Sequence, residues 1–122
     1  MLRVLVVEDE ALVRMGLMCF VEDLGHVVCG GAATEPEAVS LAGQTKPDIV
    51  LMDVRLAGDG DGVTAARRIR DRYDIPSIFI SANLDSATIA RAQDARPVAF
   101  IHKPFDPDRL GRVLDDLARS RH

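Results

Sequence analysis

The chain has 122 residues and a mass of 13.3 kDa, enough for one domain that buries roughly two-thirds of the surface its unfolded form exposes. Hydrophobic residues make up 48% and charged residues 28%, with 9 Gly and 6 Pro scattered along the chain, which excludes collagen-like, disordered and coiled-coil classes. Fifteen Lys and Arg against 19 Asp and Glu give a net charge of −4 and a pI near 5.3, so the basic excess that would bring a small domain to a phosphodiester backbone is missing and direct nucleic-acid binding is not expected.

The chain opens MLRVLVVEDE, an apolar run over 2–7 ended by three acids. It is too short for a signal peptide or a membrane span and predicts a strand, a cytoplasmic location and no membrane partner. Val13, Leu17, Phe20, Val21 and Leu24 then share one helical face, with Gly25 as the stop. A weaker strand is expected over 26–29. Thr34 and Glu37 have the spacing of a capping box ahead of Ala38, Val39, Leu41 and Ala42. A third apolar run covers 49–52, and 61–73 reads as a helix with Val63, Ala66 and Ile69 on one side and Arg67, Arg68, Arg70 and Arg72 on its solvated faces. A fourth run covers 78–80. Residues 86–95 form a small-residue helix in which Ile89 is the only large aliphatic, so this helix should be the most loosely held. After a fifth run over 98–101, Asp106 and Pro107 read as the N-cap and first position of a helix carrying Leu110, Val113, Leu114 and Leu117. The strong runs are continuous rather than alternating, as parallel strands buried on both faces require. Five β-α units in sequence predict one α/β domain over 1–122, with helices on both faces of a parallel sheet.

Several residues carry no chemistry in this reading. Cys19 and Cys29 lack CxxC spacing and are expected as buried reduced thiols rather than as a disulfide or a zinc site. Met15 and Met18 read as core or helix-surface filler. His102 is expected as an exposed strand residue, and no role is assigned to it, His26 or His122. One Tyr, no Trp and no glycine-rich turn after the first strand leave a flavin or dinucleotide little to bind to.

In an open α/β sheet the functional crevice lies beyond the carboxyl ends of the strands. The first strand ends in Glu8 and Asp9, the third in Asp53, the fourth in Ser81 and the fifth in Lys103, Pro104 and Phe105. Each residue alone could merely solvate a strand end or favour a helix N-terminus. Together they gather three acids, and two carboxylates about 5 Å apart repel by roughly 3 kcal/mol at an effective dielectric near 20. A divalent cation is the natural compensation. Oxygen donors without His or Cys suit Mg2+, or alternatively Mn2+, better than zinc. Lys103 would add the remaining positive charge.

The strings VVEDE, LMDVRL, IFISA and FIHKPF, in this order and spacing, resemble the receiver domain of two-component response regulators over essentially the whole chain. The resemblance implies a flavodoxin-like (βα)5 three-layer sandwich with strand order 2-1-3-4-5. It further implies that Asp53 accepts a phosphoryl group from a sensor histidine kinase or a histidine phosphotransfer protein. Asp9 and Asp53 would bind the metal directly, Glu8 through water, and the backbone carbonyl of Arg55 would complete the ligands. Ser81 and Lys103 would hold the transferred phosphoryl oxygens, Phe100 would be the switch aromatic, and Arg55 and Asn83 would flank the path of attacking water. Output would pass to a downstream protein target or a second copy through the face of the fourth helix, fifth strand and fifth helix, by contact rather than through an attached effector. Such a chain is a signalling switch that catalyses only its own aspartyl phosphorylation and dephosphorylation.

The family pattern is broken at Ala57, where a proline is common, in the Gly- and Asp-rich loop that follows, and at Arg96-Pro97, where Gly-Ala is usual. Two other classes are weighed against this one. A magnesium-dependent phosphohydrolase with a strand-end Asp nucleophile would carry a second Asp where Arg55 stands. A pseudo-receiver that binds partners constitutively would not keep the full set Glu8, Asp9, Asp53, Ser81 and Lys103.

Overall fold

In each long strand successive side chains point to opposite faces, which explains why the apolar runs are unbroken. Val4 and Val6 enter one hydrophobic layer and Leu5 and Val7 the other, and all four are fully buried. The computed structural model describes residues 1–56, 58, 60–104 and 106–120. Its elements in chain order are β1 (Arg3–Val7), α1 (Ala11–Asp23), β2 (Val27–Ala32), α2 (Glu35–Thr45), β3 (Ile49–Asp53), α3 (Gly62–Tyr73), β4 (Ser77–Ser81), α4 (Ser86–Ala92), a 3-10 turn (Gln93–Ala95), β5 (Ala99–His102) and α5 (Pro107–Ser120). The sheet is parallel in the order β2-β1-β3-β4-β5, the flavodoxin-like order. Leu17 and Val21 of α1 and Leu110 and Leu114 of α5 cover the layer of Val4, Val6, Leu51 and Ile80. On the other face, α2 and α3 cover Leu5, Val7, Met52 and Phe79.

Register places the functional edge. Val7 lies opposite Met52, Asp53 opposite Ile80, and Ser81 opposite His102. Glu8 and Lys103 continue this ladder just past their strands: the Glu8 N–H donates to the Ala32 carbonyl and the Lys103 N–H to the Ser81 carbonyl, both at 2.9 Å.

Helix starts follow the sequence closely. Thr34, Asp61 and Asp85 accept from the N–H groups of Glu37, Thr64 and Thr88, while Asp106 accepts from Asp108 and Arg109. The Glu37 carboxylate accepts from the N–H of Ala33 rather than from that of Thr34, so the capping box closes one residue early. Helix ends are less regular. Lys46, Asp74 and Arg96 take left-handed conformations (φ 48°, 55° and 50°) where glycine would be the usual choice.

Three expectations change. Cys19 is exposed and Cys29 only half-buried, its thiol 3.5 Å from the Thr45 hydroxyl, because α1 turns Leu17 and Val21 inward and leaves Cys19 on its outer side. The weak strand at 26–29 is really 27–32. His26 precedes it, buried, with Nδ1 accepting the Leu2 N–H at 3.1 Å. Ile89, the large aliphatic of the 86–95 segment, is only half-buried; Ala92 of α4 and Ala95 of the 3-10 turn enter the core instead, their small side chains letting this segment lie close to α3. Ala57, Phe105 and His122, named in the sequence reading, lie outside the described residues.

Candidate functional site

The carboxyl edge of the sheet gathers its charged groups because the adjacent parallel strands β1, β3, β4 and β5 all end on one side of it. Asp53 closes β3, while Glu8 and Lys103 stand one residue beyond β1 and β5. The Lys103 ammonium donates to Glu8 Oε1 at 2.5 Å and to Asp53 Oδ2 at 2.8 Å, bridging residues 95 and 50 positions away in sequence. Carboxylate oxygens of Glu8, Asp9 and Asp53 lie within 4.8 Å of one another. Glu8 is fully buried, Asp53 nearly so, and Asp9 is exposed. Asp53 Oδ1 also accepts the Arg55 N–H at 3.2 Å.

Ser81 is buried at the end of β4, with its hydroxyl oxygen accepting the Asn83 N–H at 3.2 Å. Asp9, Glu10, Asp53, Arg55, Ser81, Asn83 and Lys103 line a common open cleft. The structure therefore brings together Glu8, Asp9, Asp53, Arg55, Ser81 and Lys103. Phe100 stands apart. It is half-buried on β5 and stacked on Phe79, with ring centroids 5.7 Å apart and planes inclined by 19°. His102 is exposed, as expected.

Electrostatics mark the cluster as short of positive charge. Burial pushes the Glu8 carboxyl up to about 7, with the neighbouring Asp53 and Asp9 carboxyls adding to the rise and Lys103 opposing it. Burial would pull the Lys103 ammonium down, yet its hydrogen bonds to Asp53 and Glu8 outweigh that and raise it. Lys103 thus offsets part of the repulsion among the acids, as expected from its place at the end of the fifth strand. The donor set remains three carboxylates with no nitrogen or sulfur ligand, which fits a hard divalent cation. Two contributors were missed in the sequence. Glu10 lines the cleft, and Arg14 donates from Nη1 to the Glu8 carbonyl at 2.7 Å. An arginine one turn into an amphipathic helix carries no signal in sequence that its head group turns back to the preceding loop.

Comparison with known proteins agrees with this geometry. The family model described as "Response regulator receiver domain" matches residues 4–115. The transcriptional regulatory protein PdtaR of Mycobacterium tuberculosis is 40% identical over 119 residues, covering 98% of this chain but 57% of its own length, so the chain spans little more than half of that relative. Chemotaxis protein CheY of Thermotoga maritima is 34% identical over 118 residues, covering 96% of this chain and 98% of its own. Among solved structures, the signal receiver domain of a modulated diguanylate cyclase from Desulfovibrio desulfuricans G20 superposes with a TM-score of 0.90 at 35% identity, covering 98% of this chain and 95% of that one. Among the described residues no helix is long and apolar enough to cross a membrane.

Proposed function

This chain belongs to the response regulator receiver domain family, and on that premise we propose that Asp53 is the phosphoacceptor of a two-component phosphorelay. The observation that carries the reading is the single Lys103 ammonium shared between Glu8 and Asp53 with Asp9 alongside: a carboxylate nucleophile, a cation and a second acid line one open cleft, and the buried Glu8 holds the same cation. Phosphoryl transfer passes through a loose transition state that needs an in-line oxygen and positive charge on the equatorial oxygens, with little other covalent chemistry from the protein. Asp53 supplies the oxygen: its new P–O bond forms as the P–N bond of a phosphohistidine on a kinase or phosphotransfer protein breaks. Lys103 turns one of its hydrogen bonds from the bare carboxylate to a phosphoryl oxygen. Ser81, which lines the cleft, donates to another by turning its hydroxyl from the Asn83 carbonyl.

Glu8, Asp9, Asp53 and the Arg55 carbonyl would hold magnesium or manganese, which when bound draws charge from the phosphoryl oxygens. Arg55 and Asn83, both exposed, line the cleft and set how readily water reaches the acyl phosphate. The chain is a self-phosphorylating and self-dephosphorylating switch acting in the cytoplasm as one domain over 1–122. Its signal leaves by the α4-β5-α5 face, where an inward turn of Ser81 lets Phe100 repack, towards a protein target or a second copy.

Incubation with a small-molecule phosphodonor and magnesium, followed by intact mass and peptide mapping, tests the assignment. One phosphoryl group on Asp53 is expected, with labelling abolished by Asp53→Asn and by excess chelator. Persistent labelling of the variant would remove Asp53 from its role. Phe100→Ala is expected to keep phosphorylation and to lose phosphorylation-dependent partner binding.

A further inference from the structure

The turn from β1 into α1 differs from the other helix entries. Thr34, Asp61 and Asp85 cap α2, α3 and α4 with their own side chains. Glu10, at the equivalent position of α1, accepts no such hydrogen bond, and it lines the cleft. The turn holding the exposed Asp9 therefore lacks an N-cap lock, and the local bond that spans it, from the Glu10 N–H to Glu8 Oε2, is long at 3.4 Å. In its place Arg14, one turn into α1, reaches back and donates from Nη1 to the Glu8 carbonyl oxygen at 2.7 Å. That carbonyl belongs to the planar peptide unit that ends at the Asp9 Cα, so holding it fixes the N–Cα axis from which the Asp9 side chain departs and narrows the positions its carboxylate can reach.

The bare backbone of β2 at Gly31 leaves room for this reach. A Cβ at Gly31 would stand 3.3 Å from Arg14 Cδ and 3.3 Å from Met18 Sδ. The bare backbone of Gly31 is thus the seat across which the Arg14 stem lies, and it ties the edge strand to the acidic cluster.

We propose that Arg14, seated on Gly31, is a positioning residue that pre-orients Asp9 for a divalent cation. The proposal rests on the reading of Glu8, Asp9 and Asp53 as a metal site. Its sign separates it from a simple charge effect. A guanidinium near a dication site repels the dication, so if Arg14 acted only as a charge its removal would tighten binding. If it acts by orienting Asp9, removal weakens binding, as loss of groups that hold ligands in place generally does.

Magnesium titrations by calorimetry on the full chain, with metal-free melting temperatures measured alongside, decide the matter. Arg14→Ala is expected to bind magnesium about tenfold more weakly, the lower end of the range for such supporting groups. Arg14→Lys keeps the charge and one donor and should recover most of that loss. Gly31→Val keeps the arginine but fills its seat, and should also weaken binding. A merely structural role would lower the melting temperatures and leave the magnesium affinity where it was. Arg14→Ala binding as tightly as the parent, or more tightly, overturns the proposal while leaving the metal site intact. So does parent-like affinity in Gly31→Val, which decides the question if Arg14→Ala does not fold. A parent chain that binds no magnesium overturns the metal reading itself, and this proposal with it.

Discussion

The centre of the sheet and the α4-β5 side are held by different amounts of apolar surface. Every residue of β3 and β4 is buried, and so is all of β1 except Arg3; in β5 only Ile101 is, and α4 with its 3-10 turn enters the core through Ala92 and Ala95. Burying a Leu or Ile side chain contributes about 1.5–3 kcal/mol and a methyl far less. The strands that carry Asp53 and lead into Glu8 are therefore stiff, while the neighbouring helix is held weakly. A site that must keep charged groups within hydrogen-bond distance needs the first property. A segment that answers to the site needs the second, because states separated by a few kcal/mol can be exchanged by one new interaction.

The sharpest way to break this contrast is to cut one side chain from each region. Leu51→Ala in β3 should lose about 2–5 kcal/mol of unfolding free energy, whereas Ile89→Ala in α4 should lose less than about 1 kcal/mol, both read from urea melts. Comparable losses would show α4 to be as firmly held as the sheet.

Lys103 is the next test, because it joins the two regions at the cleft. Lys103→Met leaves the buried Glu8 and Asp53 without their cation and should cost about 2–4 kcal/mol, somewhat under the 3–5 of a fully buried pair since the lysine is partly exposed. Magnesium should restore part of the loss. If the variant is as stable as the parent without metal, the acids are not held against repulsion.

A smaller effect follows pH. Folded Glu8 keeps its proton up to about pH 7, while the unfolded chain releases it near 4.5, so the folded state binds more protons between these values. Melting temperature should fall as pH rises from about 4.5 to 7 and level off above, in metal-free buffer. Glu8→Gln, which cannot titrate, should flatten that slope, and saturating magnesium should flatten it too by favouring the carboxylate.

The smallest change concerns how α4 is tethered. Arg91 Nη2 lies 3.1 Å from Asp61 Oδ2, linking α4 to the N-cap of α3, and this pairing with the Thr64 N–H holds the Asp61 carboxyl below its usual range against the opposing effect of burial. The pair is solvent-accessible, so Arg91→Ala should cost less than about 1 kcal/mol. Amide exchange over 85–95 should nevertheless quicken while β1 and β3 stay constant. Unchanged exchange there would mean that the tether does not restrain α4.

Much of this molecule is written in one-dimensional pattern. Unbroken apolar runs located four of the five strands to within a residue or two, and Thr34 and Asp106 marked helix starts because capping uses neighbours three positions away. The five strand-end residues Glu8, Asp9, Asp53, Ser81 and Lys103 could be picked out because parallel strands end on one side. Pattern was weakest where side chains are small: β2 contains Gly30 and Gly31, and α4 with its 3-10 turn packs through Ala92 and Ala95, so neither shows an apolar period of its own.

The sequence by itself determined a parallel α/β sheet, its carboxyl edge and the acids and lysine that decorate that edge, since periodicity and strand polarity are local properties. Only the tertiary structure decided which charges meet. That Lys103 serves Glu8 and Asp53 at once, that Glu8 is buried enough to hold its proton near neutrality, and that Arg14 crosses Gly31 to reach the Glu8 carbonyl all depend on register and crossover, which bring residues far apart in sequence within one hydrogen bond. Spacing along the chain cannot encode such distances, because they are set by how the finished strands and helices stack.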